Sequence, residues 1–165
     1  MSQHYFDDDY EKFQILQARA NAWVGTPYQH GGKTIGLGID CVHFVENLCY
    51  EIGIITQITQ IVDYGYYPPT WYLTRENAIV EAIDYYLANY LNPAMTYQMS
   101  ETDLSNRAGD LLCLQIKSPV INHVAIKLLG NEIVHANISA KRVVKESVEG
   151  YLKYLRRVYS FWRAE

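Results

Sequence analysis

At 165 residues and 19.1 kDa, the chain has room for one domain whose core buries roughly two-thirds of the unfolded surface, and a second independent domain is not expected. Hydrophobic residues at 49% and charged residues at 19% are the balance of a globular chain rather than a disordered one. Net charge is −4 and no long Lys/Arg cluster occurs, which excludes a phosphate-tracking surface and, with it, nucleic acid as the expected partner.

The opening MSQHYFDDDYEKF is acidic where a secretory signal needs a basic start, and no run of about 18 apolar residues follows anywhere. The expectation is a protein that is cytoplasmic as encoded, with no membrane partner. Acidic residues lead into a helix over Tyr10 to Val24, where Phe13, Leu16, Ala20, Trp23 and Val24 fall at helical spacing. Gly25 and Pro27 end it. A loop with Gly31, Gly32, Gly36 and Gly38 then precedes CVHFVENLCYEIG, where Cys41, Val45, Leu48, Cys49 and Ile52 resume the helical period. Cys41 therefore opens a helix, on its buried edge. His43 lies about 200° round from it, with Glu46, Asn47 and Tyr50, and is expected to face solvent or a partner.

Residues 54 to 72 are rich in Ile, Thr and Tyr and contain Pro68-Pro69, which reads only as extended or loop structure. Thr74 can cap a helix with the stripe Ile79, Ala82, Ile83, Tyr86, Leu87 and Tyr90, stopped at Asn92-Pro93. After Gly109-Asp110 the period becomes that of strands: Asp110 to Lys117, Asn122 to Leu129, a two-residue Gly130-Asn131 turn, Glu132 to Ala136, and Arg142 to Lys145. A short helix near Ser147 to Leu155 and a strand near Arg157 to Trp162 complete an α+β pattern, with the Cys41 helix packed on an antiparallel sheet.

The three cysteines, Cys41, Cys49 and Cys113, include no CxxC pair, so neither a disulfide framework nor a zinc site is indicated. A thiol becomes a useful nucleophile where its thiolate is favoured, as at a helix start beside an imidazolium. Cys41 meets the first condition. The competing reading is a small core residue, but GGKTIGLG lets backbone and substrate approach that helix terminus. His123 and His135 would each, alone, be ordinary strand histidines. The hairpin between them makes them nearly cross-strand neighbours, so that one imidazole can orient the other, the base-plus-orienter arrangement of nucleophilic catalysis. His30 either borders the cleft from the glycine loop or is a plain turn residue.

The segment WVGTPYQHGGKTIGLGIDCVHFVENLCYEIGI resembles the nucleophile region of the NlpC/P60 family of papain-like cysteine peptidases, and GDLLCLQI, NHVAIKL and EIVHAN resemble its later blocks, in the same order. The likeness covers about Trp23 to Asn137, leaving 56 to 108 as a Tyr-rich insert in a single domain over 1 to 165. The resemblance implies Cys41 as nucleophile, His123 as general base and His135 as the polar third member. It also implies Tyr28 as a residue facing substrate or the oxyanion, and Asp40 as a holder of a substrate amine. Val42-His43 stands where the family has Ser-Gly, adding bulk beside the cleft on the substrate side. The implied activity is hydrolysis of a γ-D-glutamyl bond to a diamino acid in a peptidoglycan stem peptide, without metal or organic cofactor. The alternatives are acyl transfer, thioester or amide hydrolysis on a non-wall substrate, and an idle phage-tail or wall-binding module. Tyr66 to Tyr72 resembles the phage-tail-associated branch, which makes a phage tail or a second copy of the chain the protein partners to consider, and tail incorporation a delivery route.

Overall fold

The computed structural model describes residues 3–58, 77–101 and 107–165. Helix α1 spans Tyr10–Trp23, and its N-cap Asp9 accepts from the Lys12 backbone N–H at 3.2 Å. A short hairpin pairs β1 (Lys33–Thr34) with β2 (Gly38–Ile39). It leads directly into α2 (Cys41–Glu51), and α3 covers Ala78–Tyr90. One antiparallel sheet holds the rest, β3 (Met95–Ser100), β4 (Leu111–Leu114), β5 (His123–Lys127), β6 (Glu132–Asn137), β7 (Arg142–Ser147) and β8 (Leu155–Arg163), in the order β3-β8-β4-β5-β6-β7. A 3-10 helix over Val148–Tyr154 takes the place of the expected short helix. The α+β architecture expected from the pattern is the one observed, and α2 packs on β5 and β6. Among the described residues no helix is long and apolar enough to cross a membrane.

Three elements differ from expectation. The expected Thr74 cap lies outside the described residues; α3 starts after Asn77, which has φ +59° and makes no side-chain cap. Strand β3 was not foreseen, because only Met95 of its six residues is buried and no apolar alternation marks it. It pairs with β8 from Met95↔Arg163 to Ser100↔Val158, so part of the 56–108 insert forms an edge of the main sheet. The third difference is the β5–β6 connection. It is a three-residue loop, Leu129 to Asn131, closed by Leu128 N–H to the Glu132 carbonyl at 2.9 Å, with only Gly130 at positive φ (+64°).

That extra residue controls the site. The register is Ile126↔Val134 and Lys127↔Ile133, which places His123 and His135 on the same face, diagonal across two strands. A two-residue turn would have shifted the register by one and sent the two rings to opposite faces.

Helix α2 is buried nearly all round. Trp23 of α1 meets Phe44 edge-on with centroids 5.8 Å apart, and the Trp23 indole N–H donates to Glu51 at 2.9 Å. Val124, Ile126, Val134 and Ala136 of the sheet belong to the same core, whereas Leu112, Leu114, Ala125 and Ile133 form a smaller cluster on the other face. The glycine loop lies over the helix start. A Cβ on Gly32 would stand 2.6 Å from the Gly38 carbonyl carbon and 2.9 Å from the Gln29 carbonyl oxygen, both backbone atoms. Gly32→Ala is therefore expected to lower the urea midpoint by the equivalent of about 1–3 kcal/mol of overpacking, whereas Gly150→Ala, with nothing within 4 Å, should leave it within error. Equal midpoints for the two variants would contradict this close packing.

Candidate active site

The start of α2 is fixed by one buried carboxylate. Asp40, 2% exposed, is the N-cap, and its Oδ1 receives the His43 backbone N–H at 2.9 Å and contacts His43 Nδ1 at 2.8 Å. Its Oδ2 receives the Gly31 N–H at 3.0 Å. The carboxylate thus ties the helix start to the loop that carries Tyr28 and His30.

Asp40 has both oxygens bonded to the chain itself beneath the loop. One expectation is corrected here. His43 does not face solvent; it is 3% exposed, with its ring Nδ1 2.8 Å from the buried Asp40 carboxylate. Neither residue lines the cleft at Cys41. Val42 points the other way, into an apolar cavity between α2 and α3 shared with Val45, Cys49, Ile79 and Ile83. The bulk that Val42-His43 adds therefore falls outside the cleft.

The cleft has a volume of about 320 Å³ and opens at the end of the sheet where β4 and β6 finish and β5 begins. It brings together Cys41, His123, His135, Tyr28 and His30. Cys41 heads α2 and is 7% exposed. His123 is the first residue of β5, and its Nε2 lies 2.7 Å from His135 Nδ1. Registered pairing between β5 and β6 stops at Ile126↔Val134, so the two imidazoles bridge the strands where the ladder has ended. His123 Nδ1 is the ring nitrogen left outside this pair. Among the described residues no group of three or more potential ligands is placed to hold a metal ion.

Burial acts against the charged form of both the thiol and the imidazole. Burial, then the charge of Asp40, pushes the Cys41 thiol up to about 12; the backbone N–H groups of Val124, Cys41 and Val42 only partly offset this. Burial, then the charge of His135, pushes His123 down to about 3. Burial also lowers His135, against the pull of Glu146. Tyr28 is raised by burial and by the charges of Cys41 and Asp40, which keeps its hydroxyl a donor.

The NlpC/P60 family model matches residues 25–160. The chain belongs to the NlpC/P60 family. Solved structures with the same fold include an NLP/P60-family protein similar to lipoprotein from Staphylococcus aureus (19% identity, TM-score 0.55, 94% of this chain and 42% of the other). An NlpC/P60 family protein from Bacillus cereus (16%, 0.56, 88% and 39%) and NlpC1 from Trichomonas vaginalis (13%, 0.59, 98% and 48%) are similar in the same way. The chain spans less than half the length of these three, and at such identities the likeness is one of fold. No curated protein matches the sequence. The NlpC/P60 blocks read from the sequence, from the glycine loop to the second histidine, all fall inside the matched span.

Three residues of the site escaped the sequence reading: Asn137, Glu146 and Tyr151. Asn137 and Tyr151 line the cleft, and Glu146 Oε2 stands 3.5 Å from His135 Nε2. A signal existed, since in a β6–β7 hairpin His135 pairs with Val144, which puts Glu146 on the same face one diagonal away.

A pH effect on stability follows from the two depressed histidines. Each binds a proton more readily in the unfolded chain, so their contribution is full above the ordinary histidine value of 6.5 and is lost as pH falls from there toward 3. The melting temperature is expected to drop between pH 7 and pH 4.5, and to drop less in His123→Asn; an identical drop in both proteins would contradict the downward shift of His123.

Proposed function

We propose that this NlpC/P60 protein is a cysteine hydrolase that cleaves an amide bond in peptidoglycan stem peptides, of the γ-D-glutamyl to diamino acid type. The observation that carries the reading is the meeting of Cys41, at a helix start, with the His123–His135 pair in one cleft. Family membership supports the choice of a wall peptide as substrate.

In this reading the carbonyl carbon of the scissile amide enters above Cys41. His123 Nδ1 takes the thiol proton as sulphur attacks, which is general-base catalysis. Burial raises the Cys41 thiol and lowers His123, which favours proton transfer in concert with attack. The oxyanion is received by the backbone N–H of Cys41 at the positive end of α2, and the Tyr28 hydroxyl is a second donor. Collapse expels the amine with the proton from His123, leaving a thioester on Cys41. Water then releases the acid, with His123 again as base. His135 holds His123 in place throughout, and His30 borders the bound peptide.

The test is digestion of purified peptidoglycan with release products identified by mass. A new free amino group on the diamino acid is expected, and its absence, or cleavage of a glycan bond instead, would contradict the proposal. Cys41→Ala should abolish release. His123→Ala should lose 10²–10⁴-fold, about 3–5 kcal/mol of barrier, whereas His135→Asn should keep part of the activity, because an amide oxygen can still accept the His123 N–H. A fully active Cys41→Ala would remove the enzyme reading.

A further inference from the structure

Behind His135 stands a polar cluster that the reading above does not use. Glu146 on β7 stands with Oε2 3.5 Å from His135 Nε2, and that buried nitrogen makes no hydrogen bond among the described residues, so the carboxylate is the polar group nearest to satisfying it. The carboxylate is itself held from two sides. Tyr151 donates its hydroxyl to Oε2 at 2.5 Å, and Asn137 donates Nδ2–H to Oε1 at 3.0 Å. The Tyr151 ring meets His135 edge-on with centroids 5.1 Å apart. Burial, then Glu146, pushes the Tyr151 hydroxyl up to about 12, so it remains a donor.

We infer that Glu146 is a positioning residue for the reaction: by accepting from His135 Nε2–H it fixes the tautomers of both imidazoles, so that His123 presents a bare Nδ1 to Cys41. The inference rests on the Cys41–His123 reading and deepens it. A carboxylate offers only acceptors, so the nitrogen facing it must carry the hydrogen, and a neutral ring has only one. His135 Nδ1 is then an acceptor. The 2.7 Å contact between His135 Nδ1 and His123 Nε2 accordingly requires the hydrogen on His123 Nε2, and His123 Nδ1 keeps its lone pair. With Glu146 gone, His135 is free to carry its hydrogen on Nδ1 and donate to His123 Nε2. The His123 hydrogen then sits on Nδ1, where it blocks acceptance of the thiol proton.

The proton balance of the step uses the same line of groups. The thiol hydrogen passes to His123 Nδ1 as the sulphur–carbon bond forms and the carbonyl electron pair moves to oxygen. The resulting imidazolium keeps its Nε2–H on His135, with the Glu146 charge behind it. On collapse the Nδ1 hydrogen leaves with the amine and the carbon–nitrogen bond breaks.

Long-range ¹H–¹⁵N NMR of the free full-length protein at pH 7.5 reads both tautomers directly, without any substrate. In the wild type both rings are expected as Nε2–H. In Glu146→Ala, His123 should gain an Nδ1–H population. In the same variant kcat on a peptidoglycan fragment should fall about tenfold or more, part of the 10²–10⁴-fold that a general base supplies, with KM little changed. The Glu146 side chain is 32% exposed on an edge strand, so the variant is expected to fold, and circular dichroism checks it. An Nδ1–H His123 in the wild type would overturn the inference, as would unaltered tautomers in Glu146→Ala or a rise in KM at constant kcat. Because the NMR needs no turnover, a failure of the wall-peptide reading leaves this result interpretable.

Discussion

The buried carboxylate of Asp40 is the constraint on which the site depends. A helix start leaves backbone N–H groups without intrahelical partners, and here one side chain accepts from the first turn of α2, from the His43 ring and from the glycine loop at once. Cys41 is covalently next to it and has no freedom to move away from the sheet. The same anchor brings the loop bearing Tyr28 and His30 down beside the cleft. Asp40 thus anchors from underneath the loop and helix start that border the cleft.

The second constraint is register. His123 and His135 share a face only because the β5–β6 loop has three residues, and they touch where registered strand pairing has ended, one residue short of Ala125, the position opposite His135. The downward shift of both rings has the same origin, since a ring drawn into the protein is costlier to charge. The strand pattern thus delivers a thiol and two imidazoles to one cleft at the end of the sheet.

Much of this was legible in the sequence. The helices around Leu16 and Leu48 and the strands around Val124 and Val134 follow from apolar period alone, and the order of family blocks named the residues that meet in the cleft. Other parts were illegible for identifiable reasons. A helical wheel assigns His43 to the outside because it assumes one buried face, whereas α2 is covered on both. Strand β3 exposes most of its side chains, so no alternation betrays it. The loop at Gly130 carries a turn signal that suits two residues or three, and the difference reverses the faces of the histidines. Glu146 sits on an edge strand of ordinary polar composition, where only the register of β6 with β7 gives it meaning.

The central claim is that Cys41 carries the acyl group in turnover, and intact-protein mass spectrometry tests it most directly. The wild-type protein would be mixed with excess stem peptide and acid-quenched within one turnover, and any adduct located by fragmentation. The account predicts a mass gain equal to the acyl portion of the peptide, confined to the fragment containing Cys41. Acylation of Cys49, Cys113 or another residue in its place, or undiminished turnover by protein whose Cys41 had already been alkylated, would contradict it.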